Sequence, residues 1–510
     1  MKRLWPVPDS TEMSRPSQAP LWAQLFHLDS SGPLTIQAQL RAQIVSAIAS
    51  GRLPAEEAMP SSRELAQHLG VSRNTVVGAY AQLADDGYLE ARERRGYFVN
   101  PAALAARPAV ADAAPLVGGA PVEWGSRLRV RPSRQRNISK VAEWEQYEFP
   151  FIYGQLDPSL FPSADWRACC QDVLLKGGVR SWAQDLFTRD DPQLIEELRN
   201  KVLPLRGVWA EADEIILTIG AQQALYLLAD LLIDAETVVG LENPGYPDAR
   251  NIFSLRTRRL KALPIDAEGL KVGTALRSCR YVYVTPSHQA PTTVTMPVDR
   301  RVELLRRAER DDFLIIEDDY ETETTFSGLP NPALKSLDRA GRVIYVGSLS
   351  KSFAPGIRLG YIVAPAPLIA ELRALRRLNI RHPSAFTQRT IAQFIALGHY
   401  ELLSRRLVDA HRERALILAS AVREFGLPVT HAPVNGGSSI WFEGEADLDA
   451  RELAERARGE GILIEPGDVH FMEDRPPLNC FRLGYSSIPR SRIREGVRRL
   501  APLLARRTGR

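Results

Sequence analysis

Hydrophobic and polar residues in the first hundred positions follow a pattern that predicts a small helical domain ending in a β-ribbon. The pattern predicts helices over Leu34–Ser50, Ser61–Leu69 and Ser72–Asp86, with a glycine turn at Gly70 between the last two. The segment Tyr88–Val99 predicts two short strands. Two short helices joined by a turn and followed by a hairpin make a winged helix-turn-helix, so we expect this α+β fold over residues 21–100.

The third of these helices has an apolar face and a polar beginning. Val76, Tyr80 and Leu83 recur at helical spacing and should be buried together. The residues at the start of the helix are polar or basic, namely Ser72, Arg73, Asn74 and Thr75. The N-terminal residues of a helix that enters a major groove contact base edges and phosphates. We therefore expect these four residues to contact DNA.

The net charge of this domain does not by itself indicate a nucleic-acid partner. Between Pro33 and Asn100 seven arginines are balanced by seven acidic residues, so the segment is formally neutral. Affinity for DNA must then come from cations placed on one face. The acids that should point away from DNA are Glu56, Glu57, Asp85 and Asp86.

Residues 101–147 predict a linker in two parts. Pro101–Pro121 is rich in alanine, proline and glycine and has no amphipathic period, which is typical of a flexible linker. From Pro101 to Lys140 seven basic residues stand against two acidic ones. The basic part either touches DNA phosphates or keeps the linker solvated. Residues 1–20 should be disordered.

Beyond residue 148 the pattern changes to apolar runs that end in polar residues, which predicts an α/β domain extending to residue 510. A strand, a glycine turn and an apolar helix are predicted up to Leu232. Turns that follow strands are where open α/β sheets bind ligands. The predicted strands are Glu214–Thr218, Thr237–Leu241, Tyr281–Val284 and Leu314–Tyr320.

The segment Ser348–Tyr361 combines a lysine with hydroxyls and an arginine. Lys351 could form a Schiff base with an aldehyde, while Ser348 and Arg358 could hold a phosphate dianion. Considered alone, the motif is weak, because most lysines in such a run are solvated surface residues. Its weight comes from the segments that precede it.

Two earlier segments fit a phosphate-bearing pyridine cofactor. Asp318 could keep a ring nitrogen protonated, and the hydroxyl of Tyr320 could bond a phenolic oxygen. Helix N-termini bind phosphate, so Ala221 and Gln222 are placed for the same phosphate as Ser348. The alternative is a strand end that carries acids on an ordinary loop.

Whole-chain properties narrow the class of protein. The chain has 510 residues, of which 45% are hydrophobic, and a formal charge of +4. Its four cysteines have no metal-ligand spacing, so we expect reduced core thiols and no metal site. No run approaches 18 apolar residues and the start lacks an apolar leader segment, which favours a cytoplasmic protein.

Residues from about 148 to 505 contain these motifs in the same order as the fold type I, aspartate-aminotransferase-like family, which they resemble. Members of that family use pyridoxal 5'-phosphate and have a large and a small lobe. By this resemblance Lys351 is the Schiff-base lysine, Asp318 the partner of the pyridine nitrogen and Tyr320 the partner of the phenolic oxygen. Arg482 resembles the arginine that binds the acid group of the incoming amine. The other cofactor-binding residues implied are Tyr246, which stacks on the ring, His288, and the phosphate-binding set Ala221, Gln222, Ser348 and Arg358.

The N-terminal motifs Pro60–Ala66 and Val71–Leu83 resemble the GntR family of bacterial repressors and activators. The resemblance implies that Arg63 joins the four residues at the start of the third helix in contacting DNA. It also implies a wing tip that reaches the adjacent minor groove, formed by Arg94, Arg95 and Gly96. The alternative for this charged turn is a solvated hairpin.

A GntR-like winged helix joined to an aminotransferase-like domain is the arrangement of the MocR subfamily of regulators. This resemblance implies a head-to-tail homodimer that binds promoter DNA and senses an amine effector through cofactor held on Lys351. Two alternatives remain open, namely a working aminotransferase and a GntR repressor whose second domain only dimerises. The segments Arg381–Phe386 and Gly436–Trp441 resemble members that govern the use of taurine or ectoine-derived amines. Ala290–Thr293 departs from the family's aromatic-Pro-Thr-Gly.

Overall fold

The computed structural model describes residues 22, 25–29, 32, 34–55, 58–105, 122–175, 179–321, 326, 332–427, 429–431 and 436–505. The chain divides into two compact units, an N-terminal unit Met1–Ser126 and a large unit Arg127–Arg510. The predicted disordered stretch 1–20, the linker positions 106–121 and the acids Glu56 and Glu57 lie outside the described residues. Within the described residues no helix has the length and apolar content needed to cross a membrane.

The N-terminal unit has the predicted winged helix-turn-helix. Its second helix begins with a capping box, in which Ser61 accepts from the Glu64 amide and the Glu64 carboxylate accepts from the Ser61 amide. Gly70 ends that helix in the left-handed conformation, with φ of 67°. The elements are α1 (Ile36–Ala49), α2 (Ser62–Leu69), α3 (Arg73–Asp85), β1 (Leu89–Arg92), β2 (Gly96–Val99) and α4 (Pro101–Ala105), and the short helix α5 (Trp124–Arg127) spans the boundary between the two units.

One apolar core holds this unit together. Val76, Tyr80 and Leu83 of α3 are buried as predicted, and they pack with Leu40 and Ile44 of α1. Burying each such side chain contributes about 1.5–3 kcal/mol to folding. The hairpin of β1 and β2 is antiparallel, with Leu89 opposite Val99. The apolar face of α3 thus holds the helix-turn-helix together, while the polar residues at the N-terminus of α3 stay outside the core.

The large unit contains an eight-stranded mixed sheet, a four-stranded antiparallel sheet and a two-stranded pair. Its strands are β3 (Phe149–Pro150), β4 (Ile215–Thr218), β5 (Val239–Asn243), β6 (Leu260–Asp266), β7 (Gly269–Leu270), β8 (Tyr281–Val284), β9 (Leu314–Asp319), β10 (Val343–Ser348), β11 (Gly360–Val363), β12 (Val429–His431), β13 (Ser439–Gly444), β14 (Ile462–Leu463), β15 (Glu465–Pro466) and β16 (Cys480–Gly484). Its helices are α6 (Ser163–Leu175), α7 (Pro192–Glu197), α8 (Gly220–Leu232), α9 (Pro247–Ser254), α10 (Val298–Asp311), α11 (Leu334–Leu337), α12 (Ala366–Asn379), α13 (Ala385–Ala396), α14 (His399–Glu424), α15 (Ala450–Gly459) and α16 (Arg490–Ala505).

Helices cover both faces of the large sheet, because successive strand residues point to opposite sides. Ile216 packs in one cluster with α8 and α12, whereas Leu217 packs in another with α13 and α14. The sheet order is β4-β11-β10-β9-β8-β5-β6-β7. Strands β10, β9, β8, β5 and β6 are parallel to their neighbours in that run. Their carboxyl ends therefore meet at one edge, where the predicted cofactor residues follow β5, β8, β9 and β10.

The four-stranded sheet, in the order β12-β13-β16-β15, forms the core of a smaller lobe with α15 and α16. Phe442 and Phe481 stack across neighbouring strands with ring centroids 5.3 Å apart. In this sheet Glu465 of β15 lies opposite Arg482 of β16. That register brings a carboxylate to the predicted effector-binding arginine.

The structure differs from the predicted linker in its second half. Gln135 donates from Nε2 to the Ser254 hydroxyl at 2.8 Å, and Arg136 donates from Nη2 to the Phe471 carbonyl at 3.0 Å. This part of the chain is therefore attached to the large unit. The reason is that its polar side chains satisfy backbone and side-chain groups of that unit, which composition alone does not reveal.

Candidate functional site

A cavity of about 320 Å³ opens at the carboxyl edge of the large sheet. Its lining includes all of the predicted cofactor and effector residues except His288: Lys351, Asp318, Tyr320, Tyr246, Ala221, Gln222, Ser348, Arg358 and Arg482. These residues come from the ends of β9 and β10 and the segments that follow them, from the turn after β5, from the start of α8 and from β16. The fold thus brings together groups that lie up to 261 residues apart in the chain, from Ala221 to Arg482.

Lys351 follows β10 and projects its amine onto an aromatic ring. Its Nζ lies 4.0 Å from the centroid of the Tyr153 ring. Burial, assisted by the nearby charge of Lys140, lowers the pKa of Lys351 to about 7. The amine is then partly unprotonated near neutral pH and can act as a nucleophile.

Gly154 leaves the space that this amine occupies. A Cβ at this position would contact Lys351 Nζ, and the backbone has a φ of +74° that favours glycine. The same Cβ would lie 3.5 Å from Lys140 Nζ. The two lysine amines are therefore neighbours across Gly154.

Asp318 of β9 offers one paired and one unpaired carboxylate oxygen. Oδ2 accepts from the Tyr283 hydroxyl at 2.7 Å, whereas buried Oδ1 has no hydrogen-bond partner among the described residues. Burial raises the pKa of Asp318 to about 7. A buried carboxylate oxygen without a partner is costly, so Oδ1 is suited to a cationic donor in the cavity.

The next residue of β9 points the other way. Asp319 accepts from Arg206 Nε at 2.8 Å and from the Tyr345 hydroxyl at 2.8 Å. Arg206 holds the pKa of Asp319 below its usual value, against the effect of burial. Neighbouring aspartates of one strand thus differ, since Asp319 forms an ion pair with Arg206, whereas Asp318 lines the cavity and forms no ion pair among the described residues.

The start of α8 provides an anion-binding end of the cavity. Ile219, at the N-cap, offers no side-chain cap, so the first amides of the helix lack intrahelical partners. Arg358 donates from Nη2 to the Ile219 carbonyl at 3.3 Å. Gly220 makes this approach possible, because a Cβ there would lie 3.1 Å from Arg358 Nη2.

Hydroxyl and amide groups complete this end of the cavity. Ser348 Oγ accepts from the Ser350 amide at 3.3 Å, and Ser350 Oγ is buried without a partner in the described part of the chain. Gln222 donates to Asp248, which also accepts from the Tyr246 hydroxyl at 3.0 Å. Ser350 and Asp248 were not among the residues predicted from sequence, although both line the cavity.

His288, which the sequence also predicted to bind the cofactor, is not among the residues that line this cavity. Its carbonyl oxygen accepts from the Tyr320 hydroxyl at 2.8 Å. Its ring lies beside Glu321, and a Cβ at Gly437 would be 3.6 Å from His288 Cδ2. From the turn after β8, Ala290 contributes to the lining of the cavity and His288 does not.

Arg482 is buried and already holds one acid. It donates from Nε to Glu465 Oε2 at 3.0 Å, and its guanidinium carbon lies 4.1 Å from the Tyr153 ring centroid. Glu465 Oε2 also accepts from the Tyr153 amide at 3.2 Å. Arg482 Nη2 is buried and has no partner among the described residues. The arginine therefore keeps a free donor for an anionic group.

The predicted DNA-binding residues of α2 and α3 lie on one exposed region of the N-terminal unit. Arg63, Ser72, Arg73 and Asn74 are exposed, and Thr75 is half-buried. The Ser72 hydroxyl caps α3 by accepting from the Thr75 amide at 3.1 Å. Arg73 donates from Nε to Ser62 Oγ at 3.3 Å. The cap orients the first turn of α3 and leaves its side chains outside the core.

The wing has exposed cations at its turn. Arg94 and Arg95 are exposed between β1 and β2, as is Gly96 at the start of β2, and the Arg95 guanidinium lies 5.6 Å from the Phe98 ring centroid. Two other arginines of this unit form ion pairs, Arg41 with Asp86 at 3.1 Å and Arg92 with Glu90 at 3.4 Å. Among the described residues no acid pairs with the four predicted DNA-binding arginines, which are Arg63, Arg73, Arg94 and Arg95. Their charges are thus available to phosphates although the domain is formally neutral.

These features define a class of protein, a winged helix-turn-helix joined to a domain with an aminotransferase fold. The family model for bacterial regulatory proteins of the gntR family matches residues 36–99, and the model for aminotransferases of class I and II matches residues 164–500. The chain is 42% identical over 482 residues to the HTH-type transcriptional regulator TauR of Rhodobacter capsulatus, covering 94% of this chain and 98% of that protein. It is 31% identical over 484 residues to the probable rhizopine catabolism regulatory protein MocR of Rhizobium meliloti, covering 93% and 94% of the two chains.

The solved structure of Pyrococcus horikoshii kynurenine aminotransferase in complex with PMP is similar to the second domain. The TM-score is 0.69 at 27% identity, and the match covers 76% of this chain and 99% of that one. The chain belongs to the MocR-type family of transcription regulators, in which a GntR-type DNA-binding domain is joined to an aminotransferase-like domain.

Proposed function

We propose that this regulator binds promoter DNA through its winged helix and responds to a primary amine that carries an acidic group, with pyridoxal 5'-phosphate held at Lys351. The observation that supports this most directly is the chemistry of one cavity. It contains an amine of lowered pKa, a carboxylate oxygen without a partner and an arginine donor without a partner. Each of these atoms matches a group that the cofactor or the amine would bring.

The residues of the cavity fit the cofactor. Asp318 Oδ1 would accept from the ring nitrogen, and Tyr246 would lie against the ring. The anion-binding end would hold the phosphate through Ala221, Gln222, Ser348, Ser350 and Arg358. When bound, pyridoxal 5'-phosphate supplies an aldehyde carbon that condenses with primary amines. The kynurenine aminotransferase of similar fold contains PMP, a form of the same cofactor.

Arg482 favours an effector with a carboxylate or sulfonate. Its planar guanidinium stays charged, and Glu465 occupies only one side of it. The remaining Nη2 donor would bind the acidic group of the amine. A charge-assisted hydrogen bond of this kind contributes about 1.5–3 kcal/mol.

The DNA-binding half of the proposal rests on α3 and the wing. Arg73 would contact base edges in a major groove, and Arg95 would contact phosphates at the neighbouring minor groove. A head-to-tail homodimer would present two such domains and require two half-sites. Light scattering on the full-length protein measures the number of subunits in the free protein and the number bound to each DNA molecule.

The proposal is tested with purified full-length protein and the DNA upstream of its gene. We expect a visible absorption band from bound cofactor, a shift of that band when taurine or β-alanine is added, and a change in DNA affinity at the same amine concentrations. Protein that binds DNA without any cofactor band would favour a repressor whose second domain only dimerises. Sustained transamination with no promoter binding would favour an aminotransferase instead.

A further inference from the structure

The segment that precedes the aminotransferase-like domain is held close to the cavity. Besides the contacts of Gln135 and Arg136 already described, Asn251 donates from Nδ2 to the Arg136 carbonyl at 3.0 Å. Ile138 and Lys140 of the same segment line the cavity. The chain that leads from the DNA-binding domain therefore contributes side chains to the site.

Lys140 is placed beside both functional cations of the cavity. Its Nζ donates to the Tyr153 carbonyl at 2.9 Å and lies 5.9 Å from the centroid of the Tyr153 ring. Arg482 and Lys351 contact the same ring, at 4.1 and 4.0 Å. Across Gly154, Lys140 is also the neighbour of the reactive amine. Tyr153 thus organises three cations around one volume.

The positive charges around the Tyr153 ring are not all paired with acidic side chains. Arg482 is paired with Glu465, so the two are formally neutral together. Across the described residues, no carboxylate lies within 4 Å of Lys140 Nζ to form a corresponding ion pair. Asp248 also lines the cavity, where it accepts from Gln222 and Tyr246. Lys351 has no ion pair among the described residues either, but its amine is assigned to the cofactor in the proposed function. Lys140 is then the remaining cation beside Arg482 whose charge is left for a ligand.

We propose that Lys140 binds the acidic group of the effector together with Arg482, so that the effector is recognised in part by the segment leading to the DNA-binding domain. This inference rests on the proposed function and names its ligand class. A sulfonate or carboxylate has several acceptor oxygens, so it can accept from Lys140 Nζ and Arg482 Nη2 at the same time. A short amine with a hydroxyl at that end offers one neutral acceptor oxygen, so it cannot form two charge-assisted hydrogen bonds.

The test compares two amines that differ in that end group, taurine (2-aminoethanesulfonate) and ethanolamine (2-aminoethanol). Holo protein is titrated with each, and the spectral shift gives the two dissociation constants. Lys140→Met keeps an unbranched side chain that is one atom shorter and removes its charge. We expect it to weaken taurine binding about tenfold, because a charge-assisted contact at a partly exposed position is lost. The ethanolamine constant should stay within about twofold.

A matched control separates this local effect from overall charge. Arg129 is an exposed cation of the same segment and does not line the cavity, so Arg129→Met should leave both constants unchanged. Hydrogen exchange provides a second measurement. Taurine should slow amide exchange over residues 135–141 in the wild type, and this protection should be lost in Lys140→Met.

The outcomes are distinguishable from failure of the proposed function. If the wild type shows a cofactor band and responds to taurine, but Lys140→Met binds taurine with unchanged affinity, the inference is wrong and the proposed function stands. Equal weakening for taurine and ethanolamine would also overturn it, because Lys140 would then support the fold rather than the acidic group. A wild type without cofactor band or amine response overturns both.

Discussion

Replacing Asp318 with asparagine tests the cofactor site at a single oxygen. Asparagine has nearly the same shape, and its carbonyl oxygen can still accept from the Tyr283 hydroxyl that now lies 2.7 Å from Oδ2. The group that replaces Oδ1 would then be an NH₂ donor. A protonated ring nitrogen would meet a donor where the wild type offers a buried acceptor without another partner.

The expected loss follows from this exchange. A hydrogen bond to a charged group contributes about 1.5–3 kcal/mol, and each 1.4 kcal/mol changes a dissociation constant tenfold. Asp318→Asn should therefore weaken binding of pyridoxal 5'-phosphate by roughly 10- to 150-fold. Its absorption band should shift as well, because the carboxylate no longer stabilises the protonated ring.

The assay is titration of cofactor-free protein with pyridoxal 5'-phosphate, followed by tryptophan fluorescence and visible absorbance. Tyr283→Phe is the matched variant, since it removes the other hydrogen bond of Asp318 but keeps the negative charge. We expect Tyr283→Phe to lose less affinity than Asp318→Asn. If Asp318→Asn has the dissociation constant and spectrum of the wild type, Asp318 does not hold the ring nitrogen.

The same variant has a signature in the cofactor-free protein. Burial raises the pKa of Asp318 from an ordinary value of 3.8 to about 7, so the folded state binds its proton more tightly than the unfolded state. Its contribution to stability is complete below about pH 4 and is lost as the pH rises to about 7. Glu242 and Glu317, with pKa values also raised to about 7, act in the same direction. Asp318→Asn should reduce the fall in unfolding free energy by up to about 1.4 kcal/mol per pH unit in this window.

Further predictions concern four single side chains. Lys351→Ala should abolish borohydride-stable attachment of the cofactor while the protein still binds DNA, which mass spectrometry and fluorescence anisotropy would check. Arg482→Ala should weaken taurine binding by about 1.5–3 kcal/mol in the spectral titration, and an unchanged constant would exclude its role. Arg73→Ala should cost about 1–3 kcal/mol at the specific DNA site only, whereas Arg95→Ala should weaken binding to all sequences and reduce the salt slope by about one. Equal losses on specific and random DNA for Arg73→Ala would contradict base reading.

Elements with a clear local pattern were predicted closely. The strand Tyr281–Val284 has the predicted bounds, because four apolar residues are flanked by polar ones and all four are buried. Strand β5 was predicted as Thr237–Leu241 but spans Val239–Asn243. Its last residues, Glu242 and Asn243, are polar and pair with β6 in the sheet interior. Sequence periodicity does not predict such a pairing, because a change from apolar to polar side chains usually marks the end of a strand.

Some residues of the candidate site could likewise be predicted from local motifs, and others could not. Lys351 and Asp318 lie at the ends of parallel strands, where the topology brings the carboxyl ends of neighbours together, so motifs were sufficient to place them. Glu465 reaches Arg482 only through the register of the smaller sheet, and Lys140 reaches the cavity through a segment of irregular structure. The sequence around Glu465 or Lys140 contains no motif that predicts a binding role. His288 lies in the turn after β8 but is not part of the cavity lining, because the direction of a side chain in a turn depends on its packing and not on a local motif.

The polar atoms without partners in this cavity argue for ligand binding rather than stability. Asp318 Oδ1, Ser350 Oγ and Arg482 Nη2 are all buried at one cavity, and none has a hydrogen-bond partner among the described residues. Leaving such groups unpaired costs about 1–3 kcal/mol each, so a domain kept only for dimerisation would gain stability by losing them. A ligand that satisfies these atoms should stabilise the fold by mass action, to an extent set by its affinity and concentration. The chemistry of the three atoms, one acceptor for a cation and two donors for anions, matches a cofactor with a protonated ring and a phosphate together with an acidic amine.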